Sequence, residues 1–218
     1  MFFSASPFTY LVRAMVLVTA IPIHECAHAW AADKLGDPTA KNLGRLTLNP
    51  LPHLDLFGSV LMLLTGFGWA KPVPIYSRNF DNVKKGMALS ALAGPISNLL
   101  LALLCLILYK LWCFFLFPVL SVSITTAQAI ANIFYIMCLL NINLAVFNMI
   151  PIPPLDGSRL VTALLPARIY YKVMQYERYI ILGVFAILMF GLLDGPLSFL
   201  RNGVFNFLDA ITAFLGRA

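Results

Sequence analysis

Charge is scarce in this chain of 218 residues: Asp, Glu, Lys and Arg together make up 11%, against 61% hydrophobic residues. That balance excludes an ordinary soluble domain, in which about 25% of residues are charged, and reads as an integral membrane protein. Also missing is any polar stretch long enough to bury a core of its own, so residues 1–218 read as one membrane-embedded domain. Met1 to Tyr10 has no basic residue ahead of the apolar run, which argues against a removable signal peptide and keeps the first span attached. The four cysteines, Cys26, Cys105, Cys113 and Cys138, lack paired metal-site spacing and are expected to be small buried hydrophobes, without a disulfide. Lys and Arg outnumber Asp and Glu by fifteen to nine, but they cluster in short loops beside apolar spans. Orientation in a lipid bilayer explains them, and no nucleic-acid partner is expected.

Histidine is rarer still, with three copies, yet two of them fall in the stretch AIPIHECAHAW, Ala20 to Trp30. Positions i and i+4 share a helix face, so His24 and His28 can close on one metal ion while Glu25 points to the neighbouring edge. This H-E-x-x-H pattern suits zinc, which takes nitrogen and carboxylate donors and leaves one position to water whose proton a nearby carboxylate can accept. Ionisable groups inside an apolar run are costly and usually functional. The pattern therefore outlines a hydrolytic site.

Taken in order, Phe8 to about Asp33 reads as one long helix bent near Pro22 and ended by Gly36, Asp37 and Pro38. Thr39 to His53 reads as extended chain and turns outside the lipid. Asp55 to Trp69 is apolar but, at about 22 Å of helix against a hydrocarbon core of roughly 30 Å, too short to cross. Ala70 to Lys85 is an exposed basic connection in which Val73, Pro74 and Ile75 could form a strand edge. Gly86 to about Leu116 is a strong span whose Gly94 and Asn98 suit close helix packing. Ala127 to Phe147 is the next, and it runs into NMIPIPPLDG, Asn148 to Gly157, where three prolines forbid regular helix. Unwound backbone at membrane depth lines a cavity or is buried in protein, which makes Asp156 the natural third ligand. A plainer reading leaves Asp156 as the cap of a short helix over Arg159 to Leu165. Tyr176 to Leu193 reads as a further span entered by Glu177 and Arg178, broken by Asp194, Gly195 and Pro196. Residues 198–215 form an amphipathic or weak transmembrane helix. The expected architecture is an all-α bundle of four to five transmembrane helices, with a short re-entrant segment and a small strand-like loop region.

A parity argument supports the re-entrant segment. If Asp55 to Trp69 crossed the bilayer, His28 and Asp156 would lie on opposite sides and could not share an ion. With the segment returning, Lys34, Lys41, Arg45, Lys71, Arg78, Lys84, Lys85, Arg159, Arg168, Lys172 and Arg178 fall on one face, leaving Arg13, Lys110, Arg201 and Arg217. That bias marks the shared face as cytoplasmic. The ion would sit roughly 8 to 12 Å below it, counted along the helix.

In order and rough spacing, HECAH, AGPISN and NMIPIPPLDG resemble the motifs of the site-2 protease family of intramembrane zinc metalloproteases, over about residues 8–165. The resemblance extends to the compact prokaryotic branch without a PDZ or nucleotide-sensing domain. It implies one zinc ion on His24, His28 and Asp156, Glu25 as catalytic base, and Asn148 binding the substrate backbone or the developing oxyanion. Gly94 and Asn98 match a packing motif, and Asn98 is also a candidate neighbour of the ligands. The implied activity is hydrolysis of peptide bonds in transmembrane substrates at a prokaryotic inner membrane. The substrate must unwind locally, aided by pairing with Val73 and Ile75. His53 could support a ligand, replace one, or be structural. Two rivals remain: a different zinc class with Glu177 as third ligand, and a metal transporter or sensor that would not need Glu25.

Overall fold

The computed structural model describes residues 6–65, 68–120, 122–164, 175–176, 179–180, 183–184, 186–187 and 190–216. Helix α1 spans Pro7–Val18 and opens with Ser6, whose hydroxyl accepts the Thr9 N–H at 3.2 Å. Helix α2, Ala20–Lys34, follows after a break at Thr19, with φ −122° and ψ −67°. The single helix expected from Phe8 to Asp33 is thus two. Pro22 is the cause: it has no N–H for the Val18 carbonyl, and its ring crowds that oxygen. Thr19 adds a second perturbation, its hydroxyl donating to the Met15 carbonyl at 2.6 Å. The α2 helix stops where Gly36 takes φ +106°, a backbone that glycine adopts without strain.

Beyond a single helical turn, α3 at Thr39–Asn42, the chain reaches α4, Leu56–Thr65. Ten helical residues extend about 15 Å, far short of a bilayer. The segment also returns: Leu54 and Ala70 form an antiparallel bridge, and the Lys71 N–H donates to the His53 carbonyl at 2.9 Å. At its inner end Arg13 of α1 donates to the carbonyls of Leu63 and Leu64 at 2.7 and 2.9 Å. A cation there satisfies the orphaned last-turn oxygens and complements the helix dipole. Among the described residues that bridge is all that remains of the strand-like region. The expected edge at Val73 to Ile75 belongs to no strand: the Val73 amide is taken by Glu25, and the prolines at 72 and 74 leave the opposite edge without donors.

Helix α5, Val83–Leu111, is capped by Asn82, whose side chain accepts the Lys85 N–H at 3.0 Å, and it continues through a wider turn at Trp112–Leu116. Helix α6 spans Ile124–Asn148 and α7 Asp156–Leu164. The last long helix, α8, runs Asp194–Ile211, so Asp194, Gly195 and Pro196 open a helix instead of only breaking one. Pro196 is tolerated there because first-turn N–H groups have no intrahelical partner.

Among the described residues, three stretches are long and apolar enough to cross a membrane: Pro7–Lys34 (α1 with α2), Val83–Leu116 and Ile124–Asn148. Seven residues of the expected span 176–193, Glu177 and Arg178 among them, lie outside the described residues, as do Arg168, Lys172 and Arg217. The central helix is α5, packed between α2 and α6 and against α7. Val16, Ala20, Ala102, Leu106, Cys138 and Ile142 form the core, with Leu208 of α8 closing it. Cys105 and Cys138 are buried there as free thiols. Lys110, 0% exposed, lies within 2.6 Å of the Asp209 carboxylate and donates to Thr212 Oγ1 at 2.9 Å. An internal ion pair thereby fastens α8 to α5, where the sequence pattern alone offers Lys110 only as an orientation charge.

Candidate metal centre

The helical spacing of His24 and His28 points both Nε2 atoms at one spot, 3.0 Å apart, with the rings edge to face. Asp156 Oδ2 completes the group at 3.1 Å from His24 Nε2 and 3.2 Å from His28 Nε2. Asp156 both begins α7 and faces the imidazoles, so its position at a helix start and its place beside the histidines are compatible. Gly157 explains the approach. A Cβ there would lie 2.3 Å from the Met149 carbonyl oxygen, so only glycine lets the start of α7 fold onto the end of α6.

The donor set fits zinc. Ligand bonds of about 2.0 Å define a tetrahedron with edges of about 3.3 Å; the three donor atoms stand 3.0 to 3.2 Å apart. The ring nitrogens turned away from the group are also spoken for. His28 Nδ1 donates to the Ser90 carbonyl at 2.7 Å, leaving Nε2 with its lone pair. His24 Nδ1 faces the Asn98 amide at 3.1 Å, and Asn98 Oδ1 is buried without a partner. With the amide turned so that Oδ1 receives the His24 N–H, that orphan is satisfied and His24 Nε2 is likewise a lone pair. Gly94 holds the space open: a Cβ would stand 2.4 Å from His28 Nε2 and 2.6 Å from His24 Cε1. Burial pushes the Asp156 carboxyl up, but hydrogen bonds and charge from His24 and His28 outweigh it and hold the group well below the usual carboxylate range.

Glu25 stands one residue along, its Oε2 accepting the Val73 N–H at 3.1 Å. Val73 is 5% exposed, so the expected open edge begins with a buried residue whose amide is already engaged. Asn148, at the end of α6, donates to the Leu144 carbonyl at 3.0 Å and keeps a second amide hydrogen. His24, Glu25 and Asn148 each line two cavities. One of about 410 Å³ also touches His28, Val73, Ile75, Asp156 and Arg159, and one of about 210 Å³ reaches Met62, Trp69 and Phe147. His53 lies outside this group. It is fully buried, its Nε2 bonding the Thr47 carbonyl at 2.8 Å.

Sequence reasoning did not single out Ser90 or Arg45. Ser90 contributes through its backbone carbonyl, which no residue pattern reveals. Arg45 is 6% exposed and grips the Lys71 and Pro72 carbonyls, although in the sequence it is one basic loop residue among many. Burial lowers its guanidinium from the ordinary value, with attraction to Glu25 opposing.

Comparison with known proteins agrees with this chemistry. The family model described as peptidase family M50 matches residues 115–192, the region that holds Asn148 and Asp156. A protein of Bacillus subtilis (strain 168) named "Putative zinc metalloprotease YwhC" is 41% identical over 179 residues, covering 82% of this chain and 80% of the relative. The Rip2 protein of Mycolicibacterium smegmatis, with the same description, is 34% identical over 161 residues, 69% of this chain and 58% of its own length. Its namesake in Mycobacterium tuberculosis (strain Erdman) is 29% identical over 144 residues, 64% of this chain and 52% of its own. No solved structure matches the chain. An apolar helical scaffold, a zinc-type donor set and this kinship converge: the chain belongs to peptidase family M50, the site-2 proteases, and is a membrane-embedded zinc metalloprotease.

Proposed function

We propose that this protein cuts peptide bonds within or beside transmembrane segments of other membrane proteins, from an active site near the cytoplasmic face of a prokaryotic inner membrane. The observation that carries the reading is the convergence of His24, His28 and Asp156 with Glu25 on a cavity bounded by apolar helices. His24, His28 and Asp156 would hold one zinc ion, which when bound supplies Lewis acidity to a water and to the scissile carbonyl. Glu25 takes the proton of that water and returns it to the leaving nitrogen. The free amide hydrogen of Asn148 donates to the oxygen that gains charge. Burial among apolar helices strengthens both interactions by lowering the local dielectric.

A substrate helix must open before its carbonyl is accessible, since helical carbonyls are already bonded. Val73 and Ile75 border the 410 Å³ cavity, and a short extended piece of substrate would pair there through the Val73 carbonyl and the Ile75 amide. Replacing Ile75 by proline should slow cleavage with zinc retained, and an unchanged rate rejects the pairing. For the reaction itself, purified wild type and Glu25→Gln are incubated with a panel of single-span peptides and the products read by mass spectrometry. Cleavage by wild type and none by Glu25→Gln is expected; full activity of Glu25→Gln would falsify the assignment of the base. A transporter or sensor would not need Glu25, and nothing in the site favours it.

A further inference from the structure

We infer that Arg45 is a positioning residue for the catalytic carboxylate, acting through a single peptide plane. The inference rests on the reading of Glu25 as base. The Arg45 guanidinium donates to the Pro72 carbonyl at 3.1 Å and to the Lys71 carbonyl at 2.5 Å. The peptide unit that carries the Pro72 carbonyl also carries the Val73 N–H, and that N–H donates to Glu25 Oε2 at 3.1 Å. Peptide units are planar and stiff. A cation fixed on the oxygen therefore fixes the direction of the hydrogen on the other side. It also polarises the unit, because a donor on the carbonyl strengthens the amide as a donor in turn.

The local sequence leaves no substitute for this connection. In Lys71-Pro72-Val73-Pro74 both prolines lack an N–H, so Val73 supplies the one donor of residues 72–74. The Lys71 N–H is spent on the His53 carbonyl. Arg45 is itself buried at 6% exposure, and its two-pronged fork matches two successive carbonyls as an ammonium could not. Burying a guanidinium is costly unless it is paired, and here its two terminal nitrogens hold two carbonyls and Glu25 supplies a nearby negative charge, while Nε is buried without a partner. The arrangement therefore links a loop cation to the reactive carboxylate with one rigid unit between them.

The test uses full-length protein in detergent with a cleavable single-span peptide, comparing wild type, Arg45→Gln, Arg45→Lys and Glu25→Gln. Arg45→Gln should lower kcat by about 10- to 100-fold, as loss of an outer partner of a metal site does. KM and bound zinc per chain should stay at wild-type values. Arg45→Lys should recover part of the loss, since an ammonium can still reach one carbonyl. A loss of zinc, or a raised KM with kcat intact, would assign Arg45 to general support of the loop and overturn the inference. If Arg45→Gln does not fold, an ester in place of the Val73 amide decides. That change removes the Val73 N–H and weakens the Pro72 carbonyl as an acceptor, the two ends of the same peptide unit: a comparable fall in kcat supports the relay, and a wild-type kcat overturns it. Wild-type kcat in the Arg45 variants with an inactive Glu25→Gln rejects the role of Arg45 alone, whereas an active Glu25→Gln rejects the base on which it rests.

Discussion

Gly94→Ala adds one methyl group, and the structure says where it would go. The new carbon would stand 2.4 Å from His28 Nε2 and 2.6 Å from Cε1 of both rings. Non-bonded heavy atoms settle about 3.5 to 4.0 Å apart, so α5 must retreat by roughly 1 Å or the rings must swing aside. Zinc sites hold their ligand distances to about 0.2 Å, and the displacement is several times larger. The fold should tolerate the change much better than the site. Alanine gains about 1 kcal/mol over glycine inside a helix, and overpacking costs about 1 to 3 kcal/mol, leaving a net loss of roughly 0 to 2 kcal/mol. The expected result is a folded protein with a thermal midpoint close to wild type, less than a full equivalent of zinc by elemental mass spectrometry, and cleavage reduced about 100-fold, the upper end seen when a metal site is disturbed. One zinc per chain with full activity in Gly94→Ala would refute the argument that α5 shapes the metal space.

Further perturbations test the scaffold around the site. Asp209→Leu leaves the Lys110 ammonium buried and unpaired, and should cost about 3 to 5 kcal/mol in thermal or denaturant unfolding; Lys110→Met leaves a partly exposed carboxylate and should cost less. Arg13→Gln frees the Leu63 and Leu64 carbonyls, and a loss of about 1 to 3 kcal/mol, with faster hydrogen exchange in α4, is the expected measurement. Asp37 accepts the Tyr76 N–H at 2.6 Å and the Asn79 amide at 2.8 Å. Burial raises its carboxyl, but bonds from Thr39, Asn79 and Tyr76 dominate and lower it. A lowered folded value means stability that is fully present above the unfolded value of about 3.9 and is lost as pH falls through the folded one. Asp37→Asn should abolish that acid-side loss in hydrogen exchange over residues 76–79, and an unchanged pH profile would contradict it.

Periodicity and length exposed a good part of this molecule in advance. The i, i+4 histidines need only a helix to meet, and residues 55–69 are too short to cross a bilayer whatever surrounds them, so the return of the segment was foreseeable, though not the Leu54 to Ala70 bridge that closes it. Asp156 was visible because prolines forbid helix on the approach to it. What sequence could not expose were contacts between segments far apart in the chain. Arg13, Arg45 and Lys110 look like surface or orientation charges in a list of basic residues, yet each is turned inward onto carbonyls or a carboxylate. A cation's partner is decided by packing, to which a local pattern is blind. The strand expected at Val73 to Ile75 failed for a related reason: the partner of the Val73 amide is Glu25, a side chain 48 positions earlier.

The prolines flanking Val73 also limit how one copy of this chain could pair with another. An extended run with every amide free is a template on which a neighbouring molecule can lay a strand, and crowded membranes make such encounters frequent. With two of three successive amides chemically absent and the third occupied, the run has room for one short guest and nothing on which a fibril could grow.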